Sequence, residues 1–362
     1  MTDDINIYIL SLFHPKNKQR SSSVYQILRG KKTASTLSFC LFHHLWSGFQ
    51  LFPYLSVEAY EQRLAELKAK GYLVADEADG KYLLLSQAGQ ACLLEHPFWM
   101  AFSKEVDHFS YGVAGPLFLE RLLFLSQVIS ELSYQSKQYE PITSEEEQLF
   151  WVKQWLAKTK VSKEGLISNF YTEWQKLLEQ LADSQRQRLV SLLTGHHKIG
   201  TTYYQLQQMY HWSEFQRIAY KIYDCQQIIH LIKTSEDFPL FASVLASIPK
   251  QTISKSAQLT YNYVEQGLDS VSIQRLRQIK PSTVQDHLIE AAVLLDDFSF
   301  DACLDKQVVL QLETYEKKQP QIIEWQFKQV QGFDESISFL EVRLYQILKV
   351  KQYDRENFRP TS

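Results

Sequence analysis

The chain contains few of the residues that interrupt regular secondary structure, with 12 Gly and 10 Pro among 362 residues. This scarcity argues against turn-rich sheets and favours long helices. Basic residues are not in excess either, because 38 Lys and Arg stand against 41 Asp and Glu, for a net charge of −3. Proteins that bind DNA mainly through non-specific phosphate contacts are usually strongly basic. Any contact with nucleic acid must therefore be local or shared with a partner.

Cysteines and long apolar runs are also scarce. The four cysteines lie far apart, and we expect reduced, partly buried thiols; they are Cys40, Cys92, Cys225 and Cys303. No run approaches the roughly 20 apolar residues of a membrane span. The apolar run at residues 7–13 is short and follows two aspartates, whereas a signal peptide has a basic start and a longer apolar stretch. We expect a cytoplasmic protein, with nucleoid association as one option.

Large apolar side chains are plentiful. Hydrophobic residues make up 45% of the chain, with 21 Phe, 20 Tyr and 7 Trp, which predicts true cores in two or three domains. Across 97–250, aromatic and aliphatic residues recur at helical spacing, for example around Trp151 and Trp174. We interpret this stripe as the core of a helical middle domain rather than as a cofactor site. Residues 201–212 and 213–224 form a further candidate helix-turn-helix.

The region 1–96 has the pattern of a winged helix. Ser56 is a good N-cap for a helix that ends at Gly71. Two short strands, 72–76 and 81–86, flank an Asp-Gly pair that favours a hairpin. Helix followed by hairpin resembles a winged helix over about residues 20–96, with 56–70 as recognition helix and 72–86 as wing. Winged helices also serve as protein-docking units, so this pattern leaves DNA contact and protein contact both open.

A basic segment precedes these elements. Residues 14–32 carry six cations and no acidic side chain, which predicts a secondary basic patch. Its members are Lys16, Lys18, Arg20, Arg29, Lys31 and Lys32.

The region 251–350 contains the most informative segment. The pattern predicts a helix that stops at Gly267, a second helix at about 270–277, a tight turn at 278–280, and a third helix with Pro281 in its first position. The side chains expected to close a three-helix core are Ile273, Leu276, Ile279, Val284 and Leu288. Residues 351–362 are polar and are predicted to be a flexible tail.

The start of the third helix is the candidate nucleic-acid site. In a helix-turn-helix this end enters the major groove, where short polar side chains reach base edges. We expect Ser282, Thr283, Gln285, Asp286 and His287 at this tip. The flanking phosphate contacts would be Arg275, Arg277 and Lys280.

This segment resembles a known module. Residues 259–350, including "IKPSTVQDHLIEAA" and "SISFLEVRLYQIL", look like the helicase-associated helix-turn-helix domain at the C-terminal end of some RecQ helicases. A stand-alone protein family of Gram-positive bacteria, the YpbB family, carries the same domain, and the resemblance to it extends over the whole chain through "SSSVYQILRGKK", "FLERLLFLSQVISEL" and "LLTGHHKIGTTYYQL". The resemblance implies a RecQ-type DNA helicase as partner and a repair or recombination setting.

Two features depart from a typical module of this kind. Gln274 stands where the second helix usually carries an alanine, which bears on how the helices cross. Residues 251–362 also hold 13 Lys and Arg against 16 Asp and Glu, a net of −3. Binding to duplex DNA without a partner should therefore be weak and sensitive to salt.

Other site patterns are incomplete. The spacing of Cys40, His43, His44, Cys92 and His96 imitates a zinc site, but these residues fall in apolar helical context, so we expect no metal and no cofactor. Gly30-Lys31-Lys32-Thr33 lacks the earlier glycine of a phosphate loop. The pair His196-His197 is interpreted as a solvated turn, and 296–301 as a helix end.

The sequence thus predicts a mainly α protein, and no catalytic residue is assigned. Three functions fit these observations. The first is a non-catalytic accessory subunit that docks a RecQ-type helicase and helps place it on forked or single-stranded DNA. The second is a sequence-specific transcription regulator, because "PSTVQDHL" also resembles the DNA-reading helix of response regulators. The third is a protein–protein scaffold without DNA contact.

Overall fold

The computed structural model describes residues 3–358, and this part of the chain is mainly helical, as predicted. The N-terminal elements are α1 (Asp4–Ser11), β1 (Gln19–Arg20), α2 (Ser21–Leu28), α3 (Ala34–Phe42), α4 (Val57–Ala69), β2 (Leu73–Ala75), β3 (Tyr82–Leu85) and α5 (Gln87–Leu94). The middle contains α6 (Pro97–Glu105), α7 (His108–Tyr111), α8 (Gly115–Ser133), α9 (Glu146–Lys158), α10 (Lys163–Glu179), α11 (Asp183–Leu192), α12 (Tyr203–Tyr210), α13 (Glu214–Thr234) and α14 (Pro239–Leu245). The C-terminal elements are α15 (Lys255–Glu265), α16 (Ser270–Arg277), α17 (Pro281–Leu294), α18 (Lys306–Lys318), α19 (Phe327–Phe333) and α20 (Phe339–Phe358).

The chain divides into two compact units. The first comprises the residues up to Lys16, Arg63–Val74 and Leu85–Gln251. The second comprises Asn17–Gln62, Ala75–Leu84 and the residues from Thr252 onward. Both units therefore draw on the region 1–96. The boundaries of the three predicted domains stay predictions.

The helix-and-hairpin order in the N-terminal region follows from local signals. The Ser56 hydroxyl accepts a hydrogen bond from the Ala59 N–H at 3.1 Å and so caps α4, and Gly71 has a left-handed φ of +72° after the helix. The sheet has three strands in the order β1-β3-β2, with β1 antiparallel to β3. The sequence analysis missed β1, because two residues are too short for an alternating pattern. Identification of this region as a winged helix stays a prediction.

The aromatic stripe of the middle region is core, as expected. Phe170, Trp174 and Leu177 of α10 pack in one cluster with Phe118, Leu122 and Leu125 of α8 and with Phe241 of α14. Because α8 buries side chains on several faces, it lies at the centre of the first unit. None of the helices between residues 3 and 358 combines the length and the hydropathy that a membrane span requires.

A buried ion pair joins α11, α12 and α13 in the first unit. Asp224 is fully buried, and its two carboxylate oxygens accept bonds from Arg188 Nε at 3.0 Å and Nη2 at 2.6 Å. The Tyr203 hydroxyl donates to the same carboxylate at 2.8 Å. Burial raises the pKa of Asp224, whereas its bonds to Arg188 oppose that rise. The charge is thus stable only while all its partners are in place.

We expect Asp224→Ala to lower the free energy of unfolding by about 3–5 kcal/mol, because it leaves the Arg188 guanidinium without its partner. Tyr203→Phe removes one neutral donor and should cost only about 1–3 kcal/mol. Urea unfolding followed by tryptophan fluorescence measures both changes. Equal losses in the two variants would contradict the assigned role of the ion pair.

The second unit has its own aromatic core beneath α20. Tyr315, Trp325 and Tyr345 are buried together with Leu312 and Val342, and the Trp325 and Tyr345 rings stack at 5.9 Å. This core holds α20 as a continuous helix.

Of the predicted flexible tail, 351–362, residues 351–358 belong to α20. Lys351 Nζ donates to the Leu295 carbonyl at 2.6 Å, and Arg355 Nη2 donates to the Asp296 carbonyl at 2.7 Å. These bonds anchor a segment that looks polar in sequence. Residues 359–362 lie outside the described part of the chain.

Candidate nucleic-acid interface

The three helices α15, α16 and α17 form the predicted helix-turn-helix arrangement. Gly267 follows α15 with φ +83°. Asp269 caps α16 by accepting the Ser272 N–H at 2.7 Å, and this bond lowers the pKa of the Asp269 carboxyl. Gln278 ends α16 in the left-handed region, and Pro281 occupies the first position of α17. The predicted bounds and the predicted turn are confirmed.

The core of this arrangement is smaller than expected. Ile273, Val284 and Leu288 are buried together, and Ile279 packs against them. Leu276 was predicted in this core and is instead 57% exposed. The reason lies in the rotation of α16, because Arg277, four residues after Ile273, turns towards α15 and takes the inward flank.

Arg277 fastens α16 to its neighbours. Its Nη1 donates to the Ser256 carbonyl at 2.8 Å and to the Thr260 hydroxyl, and its Nη2 donates to the Ser256 hydroxyl at 2.9 Å. The guanidinium was predicted to bind phosphate. Its Nη1 and Nη2 donors are engaged within the unit, so a phosphate that approached them would compete with these bonds.

His287 belongs to the same network. Its Nδ1 lies 2.7 Å from the Thr260 hydroxyl and 3.3 Å from Arg277 Nη1. Burial lowers the pKa of His287, and the Arg277 charge lowers it further. A neutral imidazole therefore connects α17 to α15. His287 affects the tip of α17 by helping to position this helix.

The tip of α17 remains accessible. Ser282 and Asp286 are exposed, and Thr283 and Gln285 are half-buried. Among the residues that the structure describes, no side chain caps the N-terminus of α17. The Thr283 and Val284 N–H groups donate to the Lys280 carbonyl and Pro281 has no N–H, so the Ser282 N–H is the backbone donor of this first turn that can face a ligand. An uncapped helix N-terminus with short polar side chains can accept a phosphate or a base edge.

The exposed charges on these three helices nearly cancel. Arg275 and Lys280 are exposed next to it. The exposed acids Glu265, Asp269 and Asp286 lie on the same three helices. Only a few phosphates can be neutralised here, so the tip positions a nucleic acid weakly by charge.

Gln274 occupies the place expected for a small residue. Its side chain is half-buried and its amide donates to the Ser270 hydroxyl of the same helix at 3.2 Å. The long side chain therefore lies along α16, which explains how the three-helix arrangement accommodates it.

A second turn of the same backbone plan joins α12 and α13, at the further candidate helix-turn-helix. Like α16, α12 has eight residues and ends in a left-handed residue, His211 with φ +55°. The start of α13 differs, because the Asp4 carboxylate accepts bonds from the Ser213 hydroxyl at 2.6 Å and the Gln216 amide at 3.2 Å. Glu214 adds another acid at the first position of α13. An anion is therefore disfavoured there.

The fold splits the predicted basic patch. Lys16 belongs to the first unit and the other five cations to the second. Lys18 lies 3.3 Å from Asp76, and Arg29 Nη1 donates to the Leu55 carbonyl at 2.8 Å. Lys16, Arg20 and Lys31 are exposed. An acid-free segment of sequence thus gains acidic and carbonyl partners in the fold.

Lys32 and Glu290 form a contact that sequence reasoning missed. Glu290 is buried on α17, and it accepts the Ser254 N–H at 2.6 Å and the Ser254 hydroxyl at 3.0 Å. Lys32 Nζ lies 3.9 Å from Glu290 and donates to the Thr252 carbonyl at 2.6 Å. A glutamate inside the apolar run 288–293 was the available signal, because a charge on a buried face needs a partner.

The structure also describes the metal-like pattern and the histidine pair that the sequence analysis set aside. The four cysteines are free thiols, and no three His, Cys, Asp or Glu side chains within residues 3–358 converge as metal ligands would. The pair His196-His197 lies in a turn, as expected, and His197 is exposed. His196 differs from the prediction, because it is half-buried and its Nδ1 lies 2.8 Å from the Glu131 carboxylate. That bond lowers the pKa of Glu131.

Comparison with known proteins agrees with this geometry. Residues 256–346 match a family described as a helix-turn-helix domain. The chain is 24% identical to Protein YpbB of Bacillus subtilis (strain 168) over 356 residues, which cover 96% of this chain and 98% of that protein. No solved structure matches the chain. Together the two similarities support a YpbB-like chain with a C-terminal helix-turn-helix domain.

The network around His287 predicts a pH dependence. The folded pKa of His287 lies below the value of about 6.5 of an unfolded histidine, so the unfolded state binds its proton first as pH falls. Stability should therefore decline from about pH 6.5 downward and level off below the folded pKa. His287→Gln should show a smaller decline of the urea midpoint between about pH 7.5 and pH 5.

The exposed residue His230 offers a matched control. His230→Gln should show the same pH dependence of the urea midpoint as the unsubstituted protein. An equal effect of the two substitutions would contradict the assignment to His287.

Proposed function

We propose that this protein is a non-catalytic DNA-metabolism factor, an accessory subunit that docks a RecQ-type DNA helicase and helps place it on DNA. The observation that carries the proposal is the open, uncapped polar tip of α17 beside Arg275 and Lys280. The match of residues 256–346 to a helix-turn-helix domain supports it. The helicase partner and the repair or recombination setting come from the resemblance of the sequence to helicase-associated modules.

In this proposal the tip contacts the nucleic acid in three ways. Ser282, Thr283 and Gln285 reach base edges or sugar oxygens, and the uncapped start of α17 meets a phosphate. Arg275 and Lys280 pair with flanking phosphates. Arg277 and His287 take no part in the contact itself, because they hold α17 against α15 and α16.

The charge balance favours a partner-assisted role over independent binding. Two cations contribute a salt slope of only about −2 on double-stranded DNA. Such a contact gives low affinity at physiological salt, whereas a helicase that already holds the strand would raise the local concentration of DNA at the tip. About residues 20–96, whose pattern resembles a winged helix, supply a second module for protein or DNA contact.

The main alternative is a sequence-specific transcription regulator, which the likeness of "PSTVQDHL" to DNA-reading helices favours. A regulator binds a short palindrome by itself, usually as a symmetric dimer with nanomolar affinity. A pure scaffold is the third reading, and it requires no DNA contact. The acids around the tip disfavour strong independent binding, so the accessory role fits best.

The tip is tested by removing its two cations together. We expect Arg275→Ala with Lys280→Ala to weaken binding to forked DNA about three- to tenfold at low salt and to reduce the salt slope by about 2. Fluorescence anisotropy across a salt series measures both quantities. Lys306→Ala, which removes an exposed charge from α18, should leave binding unchanged, and an equal loss in that control would remove the tip from the proposal.

The accessory role is tested with a purified RecQ-type helicase from the same organism. We expect a complex that survives size-exclusion chromatography at moderate salt, and tighter binding of forked DNA by the pair than by either protein. The tip variant should keep the complex and lose the gain on DNA. Absence of a complex, combined with tight binding of this protein alone to a palindrome, would favour the regulator instead.

A further inference from the structure

The first unit contains a preformed cleft that is lined only by residues of that unit. The cleft has a volume of about 550 Å³, within the range of roughly 300–1,000 Å³ typical of ligand sites. Three helices and the segment after α11 enclose it, with α8 as floor and α10 and α11 as walls. Its apolar lining consists of Ile129, Phe170, Trp174, Leu178, Val190 and Leu193.

The walls are held by bonds within the protein. Arg186 Nε donates to the Leu178 carbonyl at 2.8 Å and Nη2 to the Leu181 carbonyl at 3.0 Å, which ties the start of α11 to the end of α10. At the other end, the Ser130 hydroxyl of the floor accepts the His196 N–H at 3.0 Å. The cleft therefore exists before any ligand arrives, and little ordering is needed on binding.

The serine hydroxyls inside the cleft already have partners. The Ser126 hydroxyl accepts the Trp174 indole N–H at 2.9 Å and donates to the Leu122 carbonyl at 2.8 Å. The Ser133 hydroxyl donates to the Ser130 carbonyl at 2.7 Å. Sites for polar metabolites present converging polar groups that fix the ligand. This interior instead presents apolar surface, so it fits a bulky apolar side chain.

The rim supplies exposed apolar surface and positive charge. Tyr171 is 67% exposed and Val190 is 37% exposed at the mouth. Lys198 is exposed on the rim and forms no ion pair with the residues that the structure describes. Arg186 adds no free cation, because it is paired with Asp183 at 3.3 Å and its other nitrogens donate to carbonyls. Glu179 is the one acid among the lining residues.

We propose that this cleft binds a short acidic segment of a partner protein that carries a large apolar anchor residue. The anchor enters between Trp174 and Val190, and a flanking carboxylate pairs with Lys198 at the rim. An apolar interior beside the Lys198 ammonium favours such a segment over a basic one. This site is independent of the DNA contact proposed for α17.

The test uses the full chain and two labelled, terminally blocked hexapeptides. One contains three aspartates followed by Trp-Leu-Phe, and the other has three lysines in place of the aspartates. We expect saturable binding of the acidic peptide in fluorescence anisotropy, and binding of the basic peptide at least tenfold weaker. Equal binding of both peptides, or no saturation of the acidic one at concentrations up to about 1 mM, overturns the proposal.

Variants locate the site. Lys198→Glu should weaken binding of the acidic peptide about tenfold, and Val190→Trp, which fills the mouth, should abolish it. Lys153→Glu reverses an exposed charge on α9 of the same unit and should leave binding unchanged; thermal unfolding checks that all three variants fold. Insensitivity to Val190→Trp overturns the site. Tight binding of dodecanoate without peptide binding overturns the partner in favour of a lipid-like ligand.

Discussion

One guanidinium connects the helices that carry the candidate site. Arg277 joins α16 to Ser256 and Thr260 of α15, and His287 of α17 meets the same Thr260 hydroxyl. The helix α17 also packs against α3 and α20, whereas the apolar core that it shares with α16 is small. Directional bonds add to that core in fixing the rotation of α16. The junction therefore helps to determine which side chains reach solvent beside the tip of α17.

The turn between α12 and α13 and the turn between α16 and α17 share one backbone arrangement. They differ in the charges at the start of the second helix. In both, an eight-residue helix ends in a left-handed residue and the next helix begins three residues later. Asp4 occupies the start of α13, so this end is satisfied internally. Among the described residues, the start of α17 has no acid in its first turn and no side-chain cap. This difference supports the nucleic-acid contact that we propose at the second turn.

Much of the local structure could be predicted from the sequence because its signals are local. Ser56, Gly267 and Pro281 mark helix ends through capping, φ preference and the missing proline N–H. The exposure of Leu276 could not be predicted, because the rotation of an eight-residue helix depends on a bond between Arg277 and a distant serine. The helical structure of residues 351–358 could not be predicted for the same reason. The side chains of Lys351 and Arg355 bind the carbonyls of Leu295 and Asp296, which are remote in sequence.

The residues of the candidate site fall into the same two groups, those that local sequence signals identify and those whose role depends on the fold. The tip residues Ser282 and Thr283 could be found from their position after Pro281. The internal use of Arg277, His287 and Lys32 could not, because each binds a group remote in sequence. Positive charge in a sequence thus indicates where a phosphate contact is possible, and the fold decides which cations remain accessible. Arg275 and Lys280 are the ones that stay exposed at the tip.

Backbone hydrogen–deuterium exchange with and without forked DNA tests the central claim most directly. If the tip of α17 meets nucleic acid, amides in residues 278–286 become protected by DNA, while those at the start of α13, residues 211–216, keep their rates. Protection at the start of α13 without protection at 278–286 would contradict the account.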